Sequence, residues 1–422
     1  MNTALAARTD FPILQRDVHS GTTLVYLDSA ATAQRPVSVI DAMVAQDQVH
    51  NGAVNRGSHV LAAESTVAVE DARADVAAFV GAVSSEVSWT KNSTEALNSV
   101  AYSFLNATLA EKQSGIESPL ALHTGDNIVV TRAEHHANLL PWQDLCRKVG
   151  IELRWLDILP DGQIDIDTLD AIDSRTRIVA FAHVSNVTGA VSPVPAIVEA
   201  ARAHGAYTVL DACQSVPHIP VDFHMLGTDF AVFSGHKMLG PTGIGVLYTR
   251  RDIADSVPPF LTGGSMIETV TMERATFAMS PARFEAGTQP VTQIVGLDAA
   301  VLYLRNLGME NVQRHEHELT AYALESIKTI DGIRILGPAE ATDRVGVIAF
   351  DVQGVHPHDV GQVLDAQGIA IRVGHHCAQP IHQHFGVFAS SRISFGPYNS
   401  KEDIDVFIEA LSGVRSYFGV KG

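Results

Sequence analysis

The sequence predicts an α/β protein in two parts: a large domain on a mostly parallel sheet and a smaller α+β domain toward the C-terminus. Three observations predict it. The chain has 422 residues, too many for one minimal domain and enough to bury a large core. Short apolar runs recur at 127–132, 151–156, 177–181, 206–210, 229–233 and 244–248, with helical patterns over 94–105, 138–149 and 195–204 among them. From about residue 291 that alternation stops.

The first six runs lack a polar face, as strands do in a parallel sheet covered on both sides. After them come helical stretches at 291–307 and 312–330, strands at 333–336 and 346–351, a helix over 358–367 and a strand at 369–373. A helix over 401–414 closes the chain, and the boundary between the parts falls near residue 305. In the first part, ligands are expected at the carboxyl ends of the strands.

Hydrophobic residues make up 46% of the chain and charged residues 18%, a globular rather than a disordered balance. The net charge of −18 argues against nucleic acid and an anionic membrane surface as partners. An anionic ligand has to be held by a local cluster of donors. No stretch approaches the roughly 18 unbroken apolar residues of a spanning helix. The first residues carry Asp10 and no long apolar run, which argues against a secretory signal. Cys146, Cys213 and Cys377 lie far apart without CxxC spacing. Neither a disulfide framework nor a metal site is expected, and the cytoplasm is the expected compartment.

Two apolar runs end in reactive groups. One stops at Asp211-Ala212-Cys213-Gln214, the next at Ser234-Gly235-His236-Lys237. An acid and a lysine at the ends of consecutive strands are what pyridoxal phosphate needs: a carboxylate for its pyridinium nitrogen and an amine for its aldehyde. Its phosphate needs backbone donors at a helix start, with hydroxyls nearby. Thr90-Lys91-Asn92-Ser93-Thr94-Glu95 precedes a helical pattern and supplies them, although an ordinary capping box has the same form. Ser234 and His236 stand beside the lysine and could reach the same phosphate. His135, in Glu134-His135-His136-Ala137-Asn138, follows a strand and offers a flat partner for the ring.

The segment from Ser234 to Gly245 resembles the lysine segment of the cysteine desulfurase branch of fold-type I pyridoxal-phosphate enzymes, the class-V aminotransferase-like group. Tyr26-Leu27-Asp28-Ser29-Ala30-Ala31-Thr32, Glu134–Asn138, His183-Val184-Ser185-Asn186, Arg283-Phe284-Glu285-Ala286-Gly287-Thr288 and Arg372-Val373-Gly374-His375-His376-Cys377 are similar to further motifs of that group, in the same order. The resemblance implies a mostly parallel seven-stranded sheet in a large domain over 25–305. The small domain is then 306–422, joined by 1–24 and carrying the Cys377 loop.

By that resemblance Lys237 binds the cofactor as a Schiff base, Asp211 pairs with the pyridine nitrogen and Gln214 contacts the ring hydroxyl. His135 stacks on the ring, and Asn186 lies close to cofactor and substrate. Ser93, Thr94, Ser234 and His236 hold the phosphate, with Thr288 reaching in from the second subunit of a homodimer.

Cys377 lies in a polar loop, a poor place for a small buried hydrophobe, and Arg372, His375 and His376 around it could favour a thiolate. Cys146, in mid-helix, reads as structural, and so does Cys213. The resemblance gives Cys377 the attack on the sulfur of L-cysteine, leaving a persulfide and L-alanine, with sulfur passed on for iron–sulfur cluster assembly. His135 is then an acid/base for the thiol proton. Arg392 holds the substrate carboxylate bidentately, and Arg372 is the second choice. A selenocysteine lyase or a cysteine-sulfinate desulfinase shares this set, and sulfinate cleavage would not require Cys377.

The short Gly374–Cys377 loop resembles the SUF-type (group II) branch. In enzymes of that branch served by a zinc-bearing acceptor protein, a histidine upstream takes over a zinc ligation. His358, in Val355-His356-Pro357-His358, matches that position. The sequence departs from the family at Asn55, in Asn55-Arg56-Gly57-Ser58-His59, at Lys91-Asn92, at Cys213 and in the run from Ser391 to Tyr398.

Overall fold

A computed structural model describes residues 4–19, 21–55 and 57–420. Arg56 lies outside the described residues, as do 1–3, 20, 421 and 422 of the expected small domain.

Among the described residues, seven strands form the main sheet: β1 (Val87–Thr90), β2 (Asn127–Thr131), β3 (Glu152–Leu156), β4 (Thr176–Ala182), β5 (Tyr207–Asp211), β6 (Phe230–Ser234) and β7 (Gly245–Thr249). Their order is β1-β7-β6-β5-β4-β2-β3. Only β7 runs antiparallel to its neighbours. This is the mostly parallel α/β fold of the pyridoxal-phosphate fold-type I enzymes.

Successive residues of these strands point into opposite cores. Ile128, Val130, Ile178, Ala180, Val209, Phe230 and Val232 pack with helices α3 (Ser93–Ser114) and α4 (Leu140–Val149). Val129, Val179, Phe181, Leu210, Ala231 and Phe233 face the other way. There they meet α2 (Val60–Phe79), α5 (Val194–Ala203) and α6 (Val291–Leu307). Burying both faces explains why the runs read as continuous apolar segments. Each fully buried Val, Leu or Phe contributes about 1.5–3 kcal/mol. Helix α1 (Val37–Val49), which the apolar runs did not reveal, packs on α6.

A second sheet is antiparallel, in the order β10-β11-β13-β12: β10 (Ile333–Leu336), β11 (Val347–Val352), β12 (Arg372–Gly374) and β13 (Ser390–Ser394). The hairpin β8 (Ile267–Val270) and β9 (Ala275–Phe277) lies between the two sheets in sequence. Helices α7 (Met309–Lys328), α8 (Pro357–Asp365) and α10 (Lys401–Tyr417) cover the second sheet through Leu319, Leu324, Val360, Leu364, Ile404 and Phe407. The short α9 (Gln379–Phe385) follows the Cys377 loop.

The stretch expected as one strand, 369–373, is two. Ile369–Ala370 runs parallel to Val25–Tyr26, whereas Arg372–Gly374 pairs antiparallel with β13. An apolar run does not tell which edge it joins, and this one changes edges at Ile371. Strand β13 escaped the hydrophobic pattern because Ser390, Ser391, Arg392 and Ser394 are all buried and polar. Among the described residues no helix is long and apolar enough to cross a membrane.

Candidate active site

Parallel strands deliver the first half of the site. Asp211 ends β5, buried, with its Oδ1 accepting from Cys213 N at 3.0 Å. One strand further on, β6 ends at Ser234 and the chain turns through Gly235–Lys237, which leaves Lys237 half-buried. Ser234 Oγ accepts from Ser93 N at 2.9 Å and lies 2.9 Å from Ser93 Oγ, tying the end of β6 to the start of α3. Asn92, one of the departures, caps that helix, its side chain accepting from Glu95 N at 2.9 Å. The sheet and helix approach so closely that a Cβ on Gly245 would meet Asn92 Cα at 2.6 Å. A 22-residue helix thus opens toward the strand ends with Ser93 and Thr94 in its first turn, a cradle for an anion.

Gln214 Nε2 donates to Ala30 O at 2.8 Å, whereas its Oε1 is buried without a partner. That bare acceptor is what a ring hydroxyl would satisfy. His135 starts a 3-10 turn and its Nδ1 accepts from Ala137 N at 3.0 Å, so the neutral ring carries its proton on Nε2. Burial and the nearby Lys237 ammonium push the His135 pKa down to about 4, against the pull of Asp211. At neutral pH the ring can donate a proton from Nε2 but has no charge of its own.

His236 is likewise pushed down to about 4, by burial first and then by Lys237 and Arg35. Glu134 is fully buried, with its carboxyl pushed up to about 8 by desolvation, against hydrogen bonds from Thr131, Asn138 and Ala182 N. It pins the turn that carries His135. The residues from both strand ends and from α3 fit pyridoxal phosphate.

The antiparallel sheet delivers the second half. Arg372 on β12 and Arg392 on β13 are register partners, which sets two cations side by side. Arg392 is 1% exposed; Nη1 donates to Asn186 O at 2.9 Å and Nη2 to Asp28 Oδ1 at 3.1 Å. Its Nε is buried without a partner. Burial lowers its pKa to about 10, with Asp28 opposing, so it stays charged at neutral pH. Asn186 in turn donates from Nδ2 to His376 O at 2.6 Å.

Cys377 is exposed, at φ 55, and follows His376 at φ 51. Each left-handed non-glycine residue costs about 1 kcal/mol. The turn is held because Cys377 O accepts from His136 N at 2.6 Å and Gln379 N donates to His136 Nε2 at 3.1 Å. Cys377 and His135 then line one cleft of about 440 Å³, with Thr94, Tyr102, His136 and Lys148.

One expectation is corrected. His376 does not supply positive charge to Cys377, because burial and the adjacent Arg392 hold its pKa well below the usual histidine range. Its ring is turned inward instead, with Nε2 2.9 Å from Ser390 Oγ. Cys146 and Cys213 are buried thiols, each pushed up to about 12 by burial. Cys213 Sγ lies 4.0 Å from Ser234 Oγ, inside the anion cradle.

Two expected site residues stand apart in this chain. Thr288 is exposed and lines a separate hollow with Thr90 and Lys91, on a loop anchored by the buried Arg73–Glu285 pair (Nη1–Oε1 2.5 Å). His358 is exposed in the first turn of α8, where its N–H donates to the His356 ring at 3.2 Å. Asn55 sits at φ 56 beside a hollow reaching Arg73 and Glu285. Sequence reasoning gave no role to Asp28, Ser390 or His382. The motif around Asp28 and the polar run at Ser390 were the available signals.

The aminotransferase class-V family matches residues 25–407. The chain is 54% identical to the probable cysteine desulfurase 2 of Mycobacterium leprae, over 98% of this chain and 97% of that one. It is 47% identical to a probable cysteine desulfurase of Streptomyces coelicolor, with the same coverage. The apo structure of a cysteine desulfurase from Thermococcus onnurineus NA1 superposes with a TM-score of 0.89 at 34% identity, covering 99% of both chains. The chain belongs to the class-V aminotransferase family, whose cofactor is pyridoxal phosphate. Within it, the chain is a cysteine desulfurase.

Proposed function

We propose that the chain converts L-cysteine to L-alanine, takes the sulfur as a persulfide on Cys377 and passes it on for iron–sulfur cluster assembly. The observation that carries this reading is the cleft that Cys377 and His135 line together, with the Lys237 and Arg372 charges near enough to the His135 ring to lower its pKa. When bound, pyridoxal phosphate supplies an electron sink for the bonds at the substrate's α-carbon. Lys237 would hold it covalently, Asp211 would meet its pyridine nitrogen and Gln214 its ring hydroxyl, and His135 would be the flat partner of its ring. Ser93, Thr94, Ser234 and His236 would take the phosphate. Thr288, distant within one chain, serves the site of a second copy in a homodimer.

Arg392 offers its bare Nε–H, and Arg372 its charge, to the substrate carboxylate, with Asn186 between them and the loop. Lys237, as a free amine, would carry the α-proton. Cys377 Sγ, as thiolate, attacks the substrate sulfur. A sulfur–sulfur bond forms, the carbon–sulfur bond breaks, and its electron pair stays on carbon to be protonated. His135 would handle the thiol proton in the cleft once its Nδ1 releases Ala137 N and takes the ring proton, which frees Nε2 to accept.

The chain divides for this purpose into 25–305, which holds the cofactor groups, and 306–422 with 1–24, which carries Cys377. The enzyme acts in the cytoplasm. Incubation with L-cysteine and a reductant is expected to give alanine and sulfide in equal amounts. Cys377→Ser lowers alanine formation at least ~100-fold, since no thiolate remains to take the sulfur. Near wild-type alanine from that variant would overturn the reading and leave sulfinate cleavage in its place.

The loop from β12 to α9 is short, so the acceptor comes to Cys377 rather than the reverse. A SUF-type, zinc-bearing acceptor protein fits His358, since exposed neutral imidazole is a good zinc ligand. His358→Ala is expected to keep basal alanine formation and lose most of the stimulation given by a zinc-bound acceptor. A variant that responds as strongly as wild type would return His358 to the ordinary surface.

A further inference from the structure

Behind the Cys377 loop lies a group of buried polar side chains that the proposed reaction does not use. His382 Nδ1 is 2.8 Å from Ala378 O, and a carbonyl only accepts, so Nδ1 carries the proton. Burial lowers the His382 pKa, which leaves the neutral ring with a bare Nε2. Ser390 Oγ lies 2.9 Å from His382 Nε2 and 2.9 Å from His376 Nε2. A hydroxyl has one proton to give. It goes to His382, so His376 Nε2–H donates to Ser390, and every proton along the chain has one position.

The last member of this chain is Cys377's neighbour. Its ring is fixed by Ser390 and its carbonyl by Asn186 Nδ2 at 2.6 Å. Ser390 is also the register partner of Gly374, where the loop leaves β12. His376 and Cys377 both adopt positive φ, a conformation that other contacts have to impose.

We propose that His382, Ser390 and His376 form a hydrogen-bond relay of fixed direction whose task is to hold the left-handed turn that aims Cys377 into the cleft. The three are positioning residues, and their role in sulfur transfer rests on the desulfurase reading. Their role in fixing the turn does not.

The test uses the holoenzyme with Ser390→Ala, and with His382→Phe, which keeps a ring but removes the acceptor. Alanine formation from L-cysteine is expected to fall at least about tenfold, as for a lost buried hydrogen bond, while KM moves less than about twofold. Cleavage of L-cysteine sulfinate, which needs no attack by Cys377, stays within about twofold of wild type. Hydrogen exchange rises at residues 375–379 and not in the main sheet. An equal fall in both activities, or unchanged exchange at 375–379 in both variants, would overturn the relay. Should the wild-type enzyme release no alanine at all, the desulfurase reading fails, and the exchange measurement still decides the relay.

Discussion

The two halves of the site are positioned by different means. At the main sheet, Asp211, Ser234 and Lys237 stand where they do because parallel strands end there, and strand regularity places them. At the second sheet, Cys377 sits in a left-handed turn held from four sides: Asn186, His136, Ser390 and the register pair Arg372–Arg392. The first half is set mainly by where strands end, with cross-ties such as Ser93–Ser234 and Gln214–Ala30 added to it. The second is fixed by contacts between residues as far as 364 positions apart, as in the bond from Arg392 to Asp28. The difference teaches that strand ends alone bring the cofactor groups together, whereas the sulfur end depends on several contacts converging on one turn.

The largest expected effect lies at the regular end, where only chemistry is lost. Lys237→Ala is expected to keep the fold and cut alanine formation by roughly 10³-fold or more, since the covalent anchor and the proton carrier are one group. Borohydride reduction followed by mass spectrometry checks it. Wild type carries a reduced pyridoxyl adduct on Lys237 and the variant carries none. An adduct on another lysine would sink the assignment.

A smaller effect is expected at the second sheet, where geometry and chemistry fail together. Arg392→Lys keeps the charge but loses the fork that meets Asn186 O and Asp28. KM for L-cysteine should rise about 10- to 100-fold, the usual range for a lost charge-assisted bond, and thermal stability should fall too. If KM is unchanged and Arg372→Lys raises it instead, the carboxylate belongs to Arg372.

The same contrast explains what could be read from the sequence. The apolar runs ending in Asp211 and in Ser234–Lys237 announced both strands and their functional ends, because burial on two faces leaves a strong hydrophobic signature. The Cys377 loop was visible only as a motif. Nothing in the order of residues says that Ser390 lies between two histidines, or that 369–373 divides between two partners. His376 was misjudged for the same reason: a histidine beside a cysteine reads as a charge, and only the fold shows its ring buried against Ser390.

A last prediction uses a buried histidine of the regular half, where no relay satisfies the ring. His183 follows β4, and its N–H donates to Asp211 O at 2.9 Å. Its ring is buried with Nδ1 unpartnered, and burial pushes its pKa down to about 4 from the ordinary 6.5. Above pH 6.5 the ring is neutral in both folded and unfolded chains, and stability is unaffected. As the pH falls from 6.5 toward 4, the unfolded chain takes up a proton that the folded one refuses. Wild type therefore loses stability over that window, on the order of 3 kcal/mol in full. His183→Gln removes that one proton while leaving Glu134, His135 and His236 to titrate in both proteins. The stability difference between wild type and variant, read from urea midpoints at pH 7, 5.5 and 4.5, should shrink steadily as the pH falls. A difference that stays constant across the three values would mean that the His183 ring finds a proton partner in the folded protein, and the regular half would then be as finely satisfied as the loop.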